Sequence, residues 1–241
     1  MHLDTHQKLS AAAIWIARGQ SYIDEAFRSA QQFQSQNPSI QCVLFTPTPL
    51  ERTGVFARTF VFDYDDADPF YFNLVRVYQS ILDVADRIIL LDTDTYCCYP
   101  VDEVFTLLER FDFLGVHAPG RQTTGSIHDL PDAFPELNVG FLAFNSNDST
   151  RSLFANWLRL YIDNRNIYYN NDQGPLRDAL WEWDGSFYVM PIEFNFKFGF
   201  GGSIRSPVRI LHGRSYNLKE IAAAVNKHTN AFRAYRCGDL K

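Results

Sequence analysis

The chain has 241 residues, a formal net charge of −6 at pH 7 and 46% hydrophobic residues. Such a length fits one large α/β domain or two small ones, and this composition excludes wholesale disorder. No run of lysine and arginine resembles the basic stripe with which proteins grip nucleic acids, so no nucleic-acid partner is expected. Aromatic residues make up 15% of the chain. They predict an aromatic-rich core and leave a minority of rings to stack on a base or a sugar.

The N-terminus and the cysteines predict a soluble cytoplasmic protein. Residues 1–10 are polar and lack the layout of a signal peptide, and no apolar run approaches the roughly 18 residues that span a bilayer. The four cysteines are Cys42, Cys97, Cys98 and Cys237. They show no C-x-x-C zinc spacing, and the adjacent pair has poor geometry for a disulfide. Reduced thiols are therefore expected.

In the first half of the chain, apolar strand-like runs alternate with helical patterns. This alternation predicts βαβ units and a mostly parallel central sheet flanked by helices. Ser21 and Asp24 have the spacing of a capping box at the start of the first helix. The predicted elements are, in order, a strand at 11–17, a helix with apolar Ile23, Ala26, Phe27, Ala30 and Phe33 that ends at Asn37-Pro38, a strand at 40–46, a helix from Asp68-Pro69 to about Val84, a strand at 87–91, a helix at about 101–110 and a strand at 113–118.

The second half is less regular. The stretch 119–135 is rich in polar residues, glycine and proline, which predicts a long loop of the kind that often has a function. The remaining predicted elements are strands at 139–144, 187–191 and 208–211 and helices at 149–163, 172–183 and about 218–227, the last one capped by Asn217.

The strongest chemical signal is the sequence Asp92-Thr93-Asp94, directly after the apolar run 88–91. In open α/β sheets, ligands bind beyond the carboxyl ends of the strands. Two carboxylates one residue apart repel each other unless a cation lies between them. Oxygen ligands of this kind suit Mn²⁺ or Mg²⁺, and such an ion commonly holds a substrate diphosphate as well. The alternative is a solvated turn that caps a helix.

The segment VRVYQSILDVADRIILLDTDTYCCYPVDEVF, residues 75–105, resembles the centre of the nucleotide-diphospho-sugar transferases of the A-type glycosyltransferase fold. The likeness is greatest to the retaining family eight, the glycogenin and lipopolysaccharide galactosyltransferase type. It implies one Rossmann-like domain over residues 1–241, with a nucleotide-binding half at about 11–118 and a sugar and acceptor half at about 119–241. It also implies that Arg76 reaches the donor sugar or diphosphate, the alternative being a surface arginine in a local ion pair.

Two further segments carry the resemblance. NVGFLAFN, residues 138–145, resembles the family's N-x-G strand, which implies that Asn138 contacts the donor sugar and that Gly140 permits close approach. NNDQGPL resembles the family's D-Q element, which implies that Asp172 contacts a sugar hydroxyl and that Gln173 lies beside the anomeric carbon. Asp172 as a helix cap is the alternative. Many relatives have aspartate where this chain has Gly174, so the sugar stays open.

VRILHGRS, residues 208–215, resembles the family's late strand and implies that His212 joins Asp92 and Asp94 as a metal ligand. The family's following G-x-K-P-W stretch is absent, and Arg214 or Lys219 is the candidate for its contact to the diphosphate. At the end of the first strand, three residues are candidates for binding the base, namely Ala17, Arg18 and Tyr22. The sequence FGFGG at 198–202 is either a mobile loop near the acceptor or a simple turn.

Together these features predict a metal-dependent transferase that moves a sugar from a nucleotide diphosphate, UDP by family habit, to an acceptor hydroxyl. The resemblance implies retention of the anomeric configuration. Double displacement needs a carboxylate nucleophile, which Gln173 is not, so a same-face route assisted by the departing phosphate is expected. A nucleotide-sugar hydrolase and a non-catalytic sugar- or nucleotide-binding module are the alternatives. The acceptor, whether glycan, lipid-linked sugar, protein or small molecule, and the oligomeric state stay open.

Overall fold

A computed structural model of the protein describes residues 7–50, 53–68, 70–119, 125–169 and 171–240. The strands are β1 (Leu9–Ile16), β2 (Gln41–Thr46), β3 (Arg58–Val61), β4 (Ala85–Leu91), β5 (Thr95–Cys97), β6 (Phe113–His117), β7 (Leu137–Asn145), β8 (Phe187–Met190), β9 (Phe196–Lys197), β10 (Gly202–Ile204), β11 (Ile210–His212) and β12 (Arg233–Tyr235). The helices are α1 (Gln20–Gln36), α2 (Phe70–Ile81), α3 (Glu103–Leu108), α4 (Asp148–Asp163), α5 (Arg165–Tyr168), α6 (Gln173–Glu182) and α7 (Leu218–Val225).

Seven strands form the central sheet, in the order β3-β2-β1-β4-β7-β6-β8. Every neighbouring pair is parallel except the two pairs that include β7. The reversal of β7 brings its beginning next to the end of β4, and the N–H of Asp92 donates to the carbonyl of Gly140 at 3.1 Å. The mostly parallel sheet of the prediction is thus confirmed, with one antiparallel strand, β7, inside it.

The alternation of side chains along the strands builds one apolar core on each face of the sheet. On β1, Ala12 and Ile14 pack with α2, α4 and α6, whereas Ala13 and Trp15 pack with α1 and α3. A third, smaller core joins α7 to β9, β10 and β11. Each fully buried large apolar side chain contributes about 1.5–3 kcal/mol relative to an exposed one. Within the described ranges, no helix combines the length and the apolar character that a membrane span requires.

A small sheet outside the central one positions the last strand. β5 follows directly after Asp94, and β11 pairs with it antiparallel, so that His212 lies opposite Thr95. On its other side, β11 pairs with β9 in parallel, and His212 lies beside Lys197. A histidine more than 110 residues away in sequence is therefore held next to the D-x-D segment by strand pairing.

The predicted elements are confirmed in type, and several boundaries differ. The capping box is wrong, because Gly19, with φ 79°, is the N-cap of α1 and Ser21 already lies inside the helix. The side chain of Asp24 instead accepts a hydrogen bond from Gln20 at 2.7 Å. Helix α2 ends at Ile81, before the predicted Val84, and Pro69 lies outside the described residues.

Short elements escaped the sequence patterns. β3, β5, β9, β10, β12 and α5 each have two to four residues, too few to display a hydrophobic period. The described part of the 119–135 stretch has no helix or strand, as predicted. Residues 198–200 form a single 3₁₀ turn, and β10 begins at Gly202.

Candidate active site

A cavity of about 360 Å³ opens where the ends of β1, β4 and β11 meet the beginning of β7 and of α6. Its walls are mostly polar, and they bring together nearly all the residues that the motifs single out. The lining residues are Ile16, Arg18, Tyr22, Phe70, Tyr71, Leu74, Asp92, Thr93, Asp94, Asn138, Val139, Gly140, Asn171, Asp172, Gln173, Lys197, His212 and Arg214. The volume lies in the range of small-ligand sites, about 300–1,000 Å³.

His212 faces both carboxylates of the D-x-D segment. Its Nε2 lies 3.4 Å from Asp92 Oδ2 and 3.4 Å from Asp94 Oδ1. The ligand atoms of the three residues all lie within 4.8 Å of one another. On the far side of the ring, Nδ1 is 2.8 Å from Asn195 Oδ1, which leaves Nε2 as the nitrogen directed at the carboxylates. Two carboxylates and an imidazole, with the second ring nitrogen held by a partner, fit a divalent metal ion.

The electrostatics of this trio call for a positive charge between the carboxylates. Burial lowers the pKa of His212, but hydrogen bonds and charges from Asp92 and Asp94 outweigh it and raise the pKa to about 9. Burial raises the pKa of Asp94, and the contacts with His212 and the charge of Arg214 reverse this and lower it. A proton on Nε2 thus occupies the place of a cation, and a divalent ion would compete with it.

The D-x-D segment is fixed by hydrogen bonds to neighbouring elements. The hydroxyl of Thr93 donates to Glu25 Oε2 on α1 at 2.8 Å, and the same carboxylate accepts from Arg214 at 3.0 Å. Arg214 also lies 3.6 Å from Asp94. The loop after β11 is therefore tied to both α1 and the D-x-D segment.

Gly140 lets His212 pack against the backbone of β7. A Cβ at Gly140 would lie 2.2 Å from His212 Cε1 and 2.8 Å from Asn138 Oδ1. Both distances are too short for a Cβ unless its neighbours move. The close approach predicted at this glycine is therefore an approach by the candidate metal ligand. A glycine is needed at residue 140 because the imidazole of His212 occupies the space that a Cβ would fill.

Asp172 and Gln173 enter the cavity from the start of α6. Asp172 makes no helix cap with its side chain. The side chain of Asn171 performs that task, accepting from the N–H groups of Gln173 and Gly174. The carboxylate of Asp172 instead accepts a hydrogen bond from the hydroxyl of Tyr78 at 3.0 Å. The helix-cap alternative is thus excluded.

Asp172 lies in an environment that opposes its ionisation. Burial, followed by the charge of Asp92, raises its pKa to about 7, against the lowering effect of the hydrogen bond from Tyr78. Tyr71 also lines the cavity, and burial together with the charges of Asp172 and Asp92 raises its pKa to about 12. The charge of Asp92 thus opposes ionisation of both groups, and a cation beside Asp92 would offset it.

No protein-family model matches the sequence, and no curated protein matches it. Solved structures match the fold. The galactosyltransferase LgtC, solved with donor and acceptor sugar analogues, matches with a TM-score of 0.62 and 12% identity, covering 91% of this chain and 96% of its own. The glycosyltransferase GlyE of Streptococcus pneumoniae TIGR4 matches with a TM-score of 0.62 and 13% identity, covering 90% of this chain and 61% of its own. Mouse xyloside xylosyltransferase 1 matches with a TM-score of 0.56 and 12% identity, covering 86% and 98%.

The chain has the A-type glycosyltransferase fold. The resemblance seen in the sequence is thus confirmed for the fold.

Within this glycosyltransferase fold, three predicted residues do not line the cavity. Ala17 is buried and does not line it, although its neighbours Ile16 and Arg18 do. Arg76 is not among the lining residues either, and it pairs with Asp68 at 3.6 Å. Helix α2 presents Tyr71, Leu74 and Tyr78 to this region. Arg76 instead forms a local ion pair, the alternative that the sequence left open. Lys219 is exposed on α7 and does not line the cavity.

Lys197 is the functional candidate that the sequence did not reveal. It lines the cavity from β9, beside His212, with its ammonium 5.3 Å from the ring of Phe200. Arg18 is paired with Asp66, and Arg214 with Glu25, whereas within the described ranges Lys197 has no carboxylate within 4.0 Å. Strand β9 has only two residues, too few to show a pattern. Only its pairing with β11 brings Lys197 to the cavity.

Proposed function

We propose that this protein is a metal-dependent glycosyltransferase that moves a sugar from a nucleotide diphosphate to an acceptor hydroxyl. The observation that carries the proposal is the position of His212 Nε2, 3.4 Å from both Asp92 and Asp94, at the mouth of a sugar-sized polar cavity. Three motifs from distant parts of the chain converge there in the arrangement that the resemblance implies.

Mn²⁺, or Mg²⁺, held by Asp92, Asp94 and His212 would neutralise the diphosphate of the donor and the charge that develops on it as a leaving group. The protein side chains prepare that place in advance. Glu25 holds Thr93 and Arg214, so the liganding carboxylates stay in position without substrate. Fixed charges of this kind contribute most where water is excluded.

The donor would lie along the lining of the cavity. Tyr22 is half-exposed at the cavity wall, with the guanidinium of Arg214 5.3 Å from its ring centre, and it is the candidate for stacking on a base, proposed to be uracil. Lys197 and Arg214 are candidates for the diphosphate. Asn138, Asp172 and Gln173 line the cavity and are the candidates for contacts with the sugar.

The proposed reaction retains the anomeric configuration. The C–O bond between the sugar and the phosphate breaks, a bond to the acceptor oxygen forms on the same face, and the acceptor proton passes to the departing phosphate oxygen. Of the carboxylates lining the cavity, Asp92 and Asp94 face His212 and Asp172 accepts from Tyr78. Each of these three carboxylates already has a partner, and none is assigned as a nucleophile for double displacement.

The cytoplasm is the proposed compartment, because all four cysteines are free. Burial raises the pKa of the Cys97 and Cys98 thiols to about 12, which makes both unreactive at neutral pH.

The test follows the thermal unfolding midpoint against a panel of nucleoside diphosphates and nucleotide sugars, with Mn²⁺ or with a chelator. A ligand that binds the native state raises the midpoint by mass action. We expect a rise for one nucleotide family that requires Mn²⁺ and is lost in Asp94→Ala. The matched control Asp102→Ala removes an exposed aspartate outside the cavity and should respond like the wild type. No rise for any nucleotide would remove the proposal, and sugar release without acceptor at the rate of transfer would favour a hydrolase.

A further inference from the structure

A continuous chain of buried side chains runs from the sugar side of the cavity to the candidate metal centre. Gln173 Nε2 donates to Glu136 Oε1 at 2.9 Å, and Asn138 Nδ2 donates to Gln173 Oε1 at 2.7 Å. Asn195 Nδ2 donates to Asn138 Oδ1 at 2.8 Å, and Asn195 Oδ1 lies 2.8 Å from His212 Nδ1. All five side chains are buried.

One backbone group sets the direction of every hydrogen bond that links these five side chains. The N–H of Gly140, which can only donate, points at Asn138 Oδ1 at 3.2 Å. The oxygen of the Asn138 amide is therefore fixed, and its nitrogen must face Gln173. The same oxygen requires a donor from Asn195, which turns the oxygen of the Asn195 amide toward His212.

His212 must then carry a proton on Nδ1 in its charged form and in its neutral form alike, and the neutral form is the one that binds a metal. An imidazole with the proton on Nδ1 presents a lone pair at Nε2, the nitrogen that faces Asp92 and Asp94. The opposite tautomer would place the Nδ1 lone pair against the Asn195 oxygen, inside a buried site where an unmade hydrogen bond costs about 1–3 kcal/mol. Asn195 does not line the cavity, so its contact with His212 is separate from any contact with substrate.

We propose that Asn195 is the positioning residue that makes His212 a metal ligand through Nε2, with its own orientation fixed by Asn138 and the N–H of Gly140. The proposal rests on the metal site of the proposed function. It assigns a role to Asn195, which lies between the turn at Ile192–Phe194 and β9 and belongs to none of the sequence motifs.

Substitutions at residue 195 separate this role from a purely structural one. Asn195→Leu and Asn195→Ala remove the acceptor in two sterically different ways, so that one can carry the test if the other fails to fold. Asn195→Asp retains an acceptor for Nδ1–H while placing a buried charge and breaking the bond to Asn138. The Mn²⁺ dissociation constant, without nucleotide, is measured from the electron paramagnetic resonance signal of free Mn²⁺, and stability from denaturant unfolding.

We expect Mn²⁺ affinity to fall by about 10–100-fold in Asn195→Leu and Asn195→Ala, the usual effect of losing such a partner of a liganding histidine. Asn195→Asp should lose stability and yet keep Mn²⁺ affinity within a few-fold of the wild type. The control Asn37→Leu removes a buried asparagine that bonds Phe33, Cys97 and Val101 and does not line the cavity. It should lower stability without changing Mn²⁺ affinity.

Two results would overturn the inference while leaving the proposed function intact. One is wild-type Mn²⁺ affinity in Asn195→Leu or Asn195→Ala, and the other is a loss in Asn195→Asp as large as the loss in those variants, which would make affinity follow stability. A wild-type protein that binds no Mn²⁺ in this assay and no nucleotide in the thermal assay would overturn both proposals. A wild-type protein that binds Mn²⁺ supports the site and makes the variants decisive.

Discussion

Replacing Asp172 by asparagine should change how the stability of the protein depends on pH. The carboxyl is buried, and its pKa rises from the ordinary value of 3.8 to about 7, first through burial and then through the charge of Asp92. Asparagine has nearly the same shape, and its oxygen can still accept from Tyr78. The substitution therefore removes the titration and keeps the contact.

The sign and size of the effect follow from proton linkage. Below about pH 4 the carboxyl is protonated in the folded and the unfolded states alike, and it contributes nothing to the pH dependence. Between pH 4 and 7 the unfolded state has lost this proton and the folded state still holds it, so stability falls as the pH rises. The interval from 3.8 to about 7, at about 1.4 kcal/mol per pH unit, corresponds to a loss of about 4 kcal/mol at pH 7 and above.

His212 titrates in a different window. Its pKa is raised from 6.5 to about 9, so its stabilising charge is fully present below about pH 6.5 and is lost as the pH rises toward 9. This contribution is shared by the wild type and Asp172→Asn. It therefore cancels in their difference, which isolates residue 172.

The assay is urea unfolding of both proteins from pH 4 to 8 in the presence of chelator. The stability of Asp172→Asn relative to the wild type should rise by about 4 kcal/mol across this range. Addition of Mn²⁺ should reduce that rise, because a cation beside Asp92 offsets the charge that opposes ionisation of Asp172. A difference that stays constant within about 1 kcal/mol from pH 4 to 8 would refute the argument that Asp172 is held protonated.

Two further predictions concern the fit and the charge of the cavity. Gly140→Ala should lower the free energy of unfolding by about 1–3 kcal/mol and weaken Mn²⁺ binding, because the new methyl group displaces His212. Gly199→Ala is the control, since a Cβ at Gly199 would meet no atom within 4 Å. Equal effects of both substitutions in calorimetry would contradict the packing argument. Lys197→Met should weaken binding of a nucleoside diphosphate with Mn²⁺ by about 10–100-fold, the effect of losing one charge-assisted contact. The control Lys219→Met should bind with wild-type affinity. Wild-type affinity of Lys197→Met in titration calorimetry would show that Lys197 does not contact the phosphates.

The sequence predicts best what depends on a strand and the residues that follow it. The apolar run 88–91 ends at Asp92, and the rule that ligands bind beyond the carboxyl ends of strands places the D-x-D segment correctly. Asn138 and Gly140 also follow from local pattern. What local pattern does not contain is the reversal of β7, which turns the beginning of that strand toward Asp92.

Two residues that long-range contacts bring beside His212 carry no signal of their own in the sequence. Lys197 belongs to a strand of two residues, and only its pairing with β11 brings it beside His212. Asn195 is a loop residue whose meaning depends on where the imidazole lies. Arg76 shows the converse error, because a motif fixed its helix correctly but not which side of the helix faces the cavity.

The charges of the cavity finally constrain how metal and donor bind to each other. Asp92, Asp94 and Asp172 line it together with Arg18, Lys197 and Arg214, and a diphosphate entering alone would meet the carboxylates of Asp92 and Asp94 at the proposed metal site. A divalent cation reverses the potential at the point where the phosphates must lie, so it raises the affinity for the donor. Binding free energies are reciprocal, and the donor must raise the affinity for the metal by the same factor. If the proposed function holds, the Asp92-Asp94-His212 site would therefore reach its full affinity for metal only with a diphosphate present, and loading of the metal would be coupled to loading of the sugar.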